Sequence, residues 1–270
     1  MADARVICLG EILFDYLATE LGKPYEEVSN WRALPGGAPA NVATALVKLG
    51  TNSAFIGCIG QDRLGDDLVS LLNQTGVNTL GVQRHPAPTR QVYITRSEVG
   101  EPQFAKFSNL ASKAANFADT YLRAELLPEK LFLQADYLVV GSIGLAYQQT
   151  SQAVWRALQL AEHYHLKVIL DVNWRPIFWS NTDKADSLIK SLIKYVDFIK
   201  LTNSEAQWLF NTSDPGKITY SLGSVEGVLI TQGVQPVKYC ICEQEGQLKP
   251  ISVKVEDPTG AGDAFVAGFV

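Results

Sequence analysis

Two rhythms of apolar and polar positions run along this chain. The segments "RVICLGEILFDYLA", "SAFIGCIG", "ADYLVVGS", "KVILDVN", "VDFIKLT" and "EGVLITQG" are apolar almost throughout. Short continuous apolar runs of this kind predict strands buried on both faces. Between them lie stretches with helical spacing. "GGAPANVATALVKLG" has Pro39 in its first turn, Val42, Ala45, Leu46 and Leu49 on one stripe, and Gly50 as its stop. "DRLGDDLVSLLNQTG" places Leu64, Leu68, Leu71 and Leu72 on one face ahead of Gly76. "TSQAVWRALQLAEHY", "DKADSLIKSLIKYV" and "SEAQWLF" repeat the helical pattern. Strands alternating with helices predict a mostly parallel sheet with helices on both faces.

Two segments break the rhythm. "RQVYITRS" and "PQFAKFS", joined by "EVGE", predict a β-hairpin that departs from the main sheet. The "NLASKAANFADT" that follows has weak periodicity. A second hairpin, "KYCICEQEGQLKPISVKV", follows the last apolar strand. With no internal repeat or linker in view, the reading is one domain over residues 1–270 with an inserted β element.

Composition adds exclusions. At 270 residues and 47% hydrophobic, the chain can bury a core without disulfide staples. A net charge of -5 argues against a nucleic-acid partner, which needs a basic face. No apolar run approaches the ~20 residues of a membrane span, and no signal-peptide pattern is visible. The expectation is a cytoplasmic protein. Cys8 and Cys58 read as buried strand thiols, and alternation puts Cys240 and Cys242 on one strand face. No histidine or second cysteine pair completes a metal site. His85, His163 and His165 read as turn and helix-end residues.

Ligands of such a sheet sit beyond the carboxyl ends of its strands. The sequence there has no G-x-x-x-x-G-K-[ST], no G-x-G-x-x-G after the first strand and no G-x-S-x-G. It does have "DPTGAGDAFVAGF". Asp257 and Pro258 end a strand, Thr259 and Gly260 begin a turn, and Ala264 and Phe265 open a buried helix. Gly260, Ala261 and Gly262 therefore fall where unpaired backbone N–H groups collect, with Asp263 in the first turn. An aspartate alone would read as a favourable helix start, worth about 0.3–1 kcal/mol. The flanking glycines turn the reading toward an anion hole beside a carboxylate, an arrangement suited to phosphoryl transfer. "PGGAPANVA" reads evenly as a tight turn before a helix or as a sugar site. In the second reading Gly36 and Gly37 admit hydroxyls to the backbone, and Asn41 both donates and accepts. Asp15 would add a carboxylate.

Taken in order, "GEILFD", "GGAPANVATALVKLG", "DVNWRPIFW", "KLTNSEA", "ITQG" and "DPTGAGDAF" resemble the PfkB/ribokinase family of sugar kinases, most closely its fructokinase branch. The resemblance implies a three-layer ribokinase-like α/β sandwich, with a mostly parallel central sheet and a small β lid in segments at about 15–35 and 88–115. It implies ATP-dependent phosphorylation of a primary hydroxyl of a monosaccharide, fructose first. Asp263 would be the base and Gly260, Ala261 and Gly262 the anion hole. Asp15, Gly36, Gly37, Asn41 and Arg175 would bind sugar. Asn173, Thr202, Thr231 and Gly233 would bind ATP, and Glu205 would organise Mg2+ through water. Thr202 stands where the family often has Asn, and Asn203 follows it. A monovalent cation and a homodimer through the lid belong to the same set of implications. The alternatives are a non-catalytic sugar-binding or regulatory protein on this fold, or a kinase of ribose or a nucleoside. The last apolar stretch, Gly262 to Val270, is shorter than a self-sustaining helix of ~12–15 residues. The expectation is a truncated chain without the C-terminal helices that close the adenine pocket, and hence with weak ATP affinity or low stability.

Overall fold

A computed structural model of the chain describes residues 3–100, 102–108, 116–253 and 259–270. In chain order the elements are β1 (Val6–Leu9), β2 (Leu13–Ala18), β3 (Trp31–Gly36), α1 (Ala38–Lys48), β4 (Ser53–Gly60), α2 (Arg63–Thr75), β5 (Asn78–His85), β6 (Gln91–Arg96) and β7 (Pro102–Phe107). They continue with α3 (Glu129–Phe132), β8 (Tyr137–Gly141), α4 (Gln148–His163), β9 (Lys167–Asp171), α5 (Ala185–Ile193), β10 (Phe198–Thr202) and α6 (Asn203–Phe210). The last are α7 (Pro215–Leu222), β11 (Gly227–Gln232), β12 (Gln235–Ile241), β13 (Gln244–Leu248) and α8 (Ala261–Phe269).

The large sheet has nine strands in the order β13-β12-β11-β10-β9-β8-β1-β4-β5. Every pairing from β11 to β5 is parallel, and the β12–β13 hairpin closes one edge antiparallel. The apolar runs are continuous because both faces are covered. Val6 and Cys8 pack into one core with α1, α2 and α8, while Ile7 and Leu9 pack into the other with α4 and α5. A smaller four-stranded sheet, β3-β2-β6-β7, stands apart, with β2 parallel to β6 and the outer pairs antiparallel.

The local rules that predicted the helices act as expected. Asp62 caps α2 by accepting from Gly65 N at 2.8 Å, and Gly76 ends it at φ +90°. Asp62 also accepts from Thr89 N at 2.7 Å, tying α2 to the entry of the small sheet.

Several expectations need correction. The first apolar run is two strands, because the chain leaves the large sheet after β1 and enters the small one as β2. β3, β5 and α7 were not foreseen; all are polar or half-exposed elements whose stability comes from pairing and docking. The buried stripe of α1 is Pro39, Ala40, Val42, Ala43 and Leu46, while Leu49 lies past the helix and is exposed. Cys240 is buried, but Cys242 is exposed in the turn after β12 at φ +48°, so the two thiols do not share a face. In α8 the buried residues are Val266 and Ala267, and Ala264 is exposed. Asp257, Pro258 and most of "NLASKAANFADT" lie outside the described residues.

Candidate active site

The two ends of the chain meet at the carboxyl edge of the large sheet. Gly260 adopts φ +77°, a left-handed turn that glycine enters without strain, and α8 starts at the next residue. The first N–H groups of a helix have no intrahelical partner and carry its partial positive charge. Those of Gly260, Ala261 and Gly262 stand at this position. Val266 and Ala267 pack α8 against α1, whose Ala40, Val42 and Ala43 share the same core. That packing brings Asn41 of α1 to Asp263 of α8. Asn41 Nδ2 donates to Asp263 Oδ2 at 2.8 Å, although the two are 222 residues apart in sequence. Burial raises the proton affinity of Asp263, and the Asn41 hydrogen bond, Lys200 and Arg175 oppose the rise.

Lys200 was missed by the sequence reading. It sits in β10, 5% exposed, and its ammonium donates to Asp171 Oδ1 at the end of β9 at 3.0 Å. A Cβ placed on Gly262 would stand 3.2 Å from Lys200 Nζ, so the ammonium lies directly beside the start of α8. Burial pushes Asp171 up to about 6, with Lys200 opposing and Glu205 adding to the rise. The available signal was a lysine inside the apolar run "FIKLT" and an aspartate closing "KVILD". Charges in neighbouring buried strands need each other, because either one unpaired is strongly unfavourable.

The small sheet supplies the opposite wall. Asp15 lies on β2 opposite Leu34 of β3, and any Cβ on Gly36 would overlap its carboxylate. Gly37 has φ +102°, and a Cβ there would collide with the Glu11 carbonyl. Both glycines of the pair are therefore demanded by space. Asp15 is pushed up to about 7 by burial and by the charge of Asp263, with Arg175 opposing. Glu11, which the sequence reading did not single out, accepts from Ala38 N at 3.1 Å at the start of α1. Its own burial pushes it up to about 8. Arg175 follows β9 and lies with its guanidinium carbon 5.7 Å from the ring of Phe104 on β7.

A second group gathers beside β10. Thr202 and Thr231 are register partners at the ends of β10 and β11. Thr202 caps α6 in a reciprocal box: Glu205 N donates to Thr202 Oγ1 at 3.2 Å, and Thr202 N donates to Glu205 Oε2 at 2.7 Å. Glu205 Oε1 accepts from Trp174 N at 2.6 Å, which fixes the loop carrying Asn173 at φ +40°. Trp174 stacks on Trp208 of α6 at 4.5 Å. Gly233 occupies the exposed turn from β11 to β12 at φ +54°. Among the described residues, no group of three or more His, Cys, Asp and Glu side chains forms a metal cage. Both Glu205 oxygens hold backbone N–H groups, so direct ligation does not fit, while their remaining lone pairs can accept from a metal-bound water.

The structure thus brings Asp263, Asn41, Lys200, Asp15 and Arg175 into one electrostatic group, with Thr202, Glu205, Asn173 and Thr231 at the adjoining strand ends. Residues 3–270 match the pfkB family carbohydrate kinase domain. The chain belongs to the PfkB carbohydrate kinase family. It is 32% identical over 270 residues to "Probable fructokinase-6, chloroplastic" of Arabidopsis thaliana, covering 98% of this chain and 69% of that one. It is 32% identical over 270 residues to fructokinase-2 of Oryza sativa subsp. japonica, covering 98% and 78%. The crystal structure of fructokinase with bound ATP from Xylella fastidiosa superposes with a TM-score of 0.85 at 29% identity, covering 97% of this chain and 79% of that one. The fold is therefore the ribokinase-like α/β sandwich of this family, and the protein is a carbohydrate kinase, of a family whose members use ATP. No helix among the described residues is long and apolar enough to cross a membrane.

Proposed function

We propose that this PfkB kinase transfers the γ-phosphoryl group of ATP to a primary hydroxyl of a monosaccharide, with fructose as its preferred substrate. The observation that carries the reading is the Asn41–Asp263 hydrogen bond at the start of α8, with Lys200 beside Gly262. One carboxylate oxygen of Asp263 is gripped, and the other remains to accept a proton. The sugar oxygen attacks the γ-phosphorus as the bond to the departing ADP oxygen breaks, and the hydroxyl proton passes to Asp263. In a loose phosphoryl-transfer transition state the nucleophile needs little prior activation, so a weak base suffices if it is well placed. The N–H groups of Gly260, Ala261 and Gly262, together with Lys200, face the charge on the transferring group.

Asp15, Gly36, Gly37, Asn41 and Arg175 form the sugar side in this reading. Asn173, Thr202, Thr231 and Gly233 form the nucleotide side. Mg2+ would arrive with the nucleotide phosphates, be held through water by Glu205, and neutralise phosphate charge there. The small sheet acts as the lid that keeps water from competing with the sugar. Its outer face carries Tyr16, Tyr25 and Trp31 in ring contact with Tyr93, which supports pairing of two lids in a homodimer. A cytoplasmic location remains part of the proposal.

The deciding experiment is a coupled ADP-release assay across a sugar panel, repeated with K+ omitted, on the wild type and Asp263→Asn. Fructose should give the highest kcat/KM. Asp263→Asn should retain sugar binding by calorimetry and lose at least ~10²-fold in kcat. Near-normal turnover in Asp263→Asn would remove Asp263 as the base, and sugar binding by the wild type without ADP formation would make the protein a binder.

A further inference from the structure

Arg90 is the largest fully buried side chain outside the group around Asp263, and the chemistry above does not use it. Its side chain is 0% exposed and that of Asp119 is 3%. Arg90 Nε and Nη2 donate to the two Asp119 oxygens at 2.6 and 2.8 Å, and Nη2 donates to Tyr147 Oη at 3.2 Å. The guanidinium carbon lies 4.7 to 5.4 Å from the ring centroids of Phe107, Phe117, Tyr147 and Phe178. A buried ion pair of this kind is a poor device for stability alone, since apolar side chains of similar volume stabilise as well or better. What the guanidinium adds is a rigid plane with fixed directions.

The segments it joins are specific. Arg90 immediately precedes β6, and its carbonyl accepts from Phe14 N of β2 at 3.1 Å. Phe107 is the last residue of β7. Both roots of the β6–β7 hairpin therefore meet at one cation. Phe178 closes the turn Pro176–Phe178 that begins just after Arg175, and its N–H donates to the Arg175 carbonyl at 3.1 Å. Phe107 and Phe178 also touch each other edge-on at 5.2 Å. The lid and the loop bearing Arg175 thus share a single joint.

Building on the sugar-kinase reading, we propose that Arg90 is a positioning residue. It fixes the angle at which the lid stands over the Arg175 loop, and through that angle it governs sugar affinity and water exclusion. It touches neither sugar nor nucleotide.

The test is the paired replacement Arg90→Met with Asp119→Leu, which removes both charges and keeps apolar packing. Hydrogen exchange in β2 and β6 should quicken by about tenfold while β8 and β9 keep their protection. Sugar KM should rise by about tenfold with kcat changed far less, and ATP hydrolysis per sugar phosphorylated should increase. Phe178→Leu cuts one arm of the joint without touching a charge and should move the same readouts by about threefold. It decides the matter if the double variant does not fold. Wild-type exchange in the lid strands overturns the proposal, and so does faster exchange with unchanged sugar KM. A wild-type protein that phosphorylates no sugar would instead remove the sugar-kinase reading, and lid exchange alone would then judge the role of Arg90.

Discussion

β8 and β2 illustrate two ways of building a strand in one molecule. In β8, Leu138, Val139 and Val140 are all buried, because helices cover both faces of the large sheet. In β2, Leu13 and Leu17 are buried on the inner face, Asp15 lies between them, and Tyr16 looks outward into a ring cluster. The large sheet is held from both sides and carries the buried Lys200–Asp171 pair and the strand ends near Asp263. The small sheet has one supported face and carries Asp15, assigned to the sugar side in the proposed reading, and Phe104, whose ring lies beside Arg175. Rigidity and access are thus assigned to different sheets, and loss of a residue should have a different signature in each.

Beyond Asp263→Asn, the largest effect is expected on the rigid side. Replacing Lys200 by Met, together with Asp171→Asn so that no carboxylate is left buried without its partner, should lower kcat by about 10²-fold. Removing a cation beside Asp263 favours its protonated form, so the acid limb of the kcat profile should move to higher pH. An unmoved limb with normal kcat would show that Lys200 only fills the sheet.

On the side of the small sheet the expected signature is in KM. Asp15→Asn should raise sugar KM by about tenfold or more and lower kcat less. In the wild type, kcat/KM for sugar should rise through a pH near 7 as Asp15 loses its proton, and this step should vanish in the variant. Stability should run the other way. The folded value near 7 lies above the ordinary 3.8, so the folded chain binds the extra proton between them. Its contribution is present below the lower value and lost as pH rises through the upper one. At pH 8 Asp15→Asn should therefore melt higher than the wild type, and its melting temperature should fall less between pH 5 and 8.

The smallest effect separates closure from contact. Phe104→Ala removes the lid ring that meets Arg175, and its main consequence should be about a threefold rise in ATP hydrolysis without sugar transfer. Equal leak rates in variant and wild type would restrict the sealing role to the rest of the lid.

The same division explains what was legible in the sequence. Strands of the large sheet announced themselves through continuous apolar runs, and helices such as α2 through a leucine stripe and a terminal Gly76. β3 and β5 gave no such sign, because each has exposed positions and takes its order from a neighbour distant in sequence. "RVICLGEILFDYLA" hid a change of sheet, since apolar pattern alone does not say which partner a strand finds. At the site, local spacing pointed to Gly260, Gly262 and Asp263 and to Gly36, Gly37 and Asn41. Lys200, Asp171, Arg90 and Asp119 went unread because their meaning lies in pairs formed across the fold.

The Trp174–Trp208 stack has a practical consequence. Two indoles with centroids 4.5 Å apart and planes 26° from parallel couple their electronic transitions. The peptide N–H of Trp174 is held by the same Glu205 carboxylate proposed to draw a hydrated metal toward the nucleotide. An event that changes the grip of Glu205 is expected to change the geometry of that pair. If Glu205 plays the proposed role, near-ultraviolet circular dichroism should follow nucleotide loading in solution without a label or a coupled enzyme.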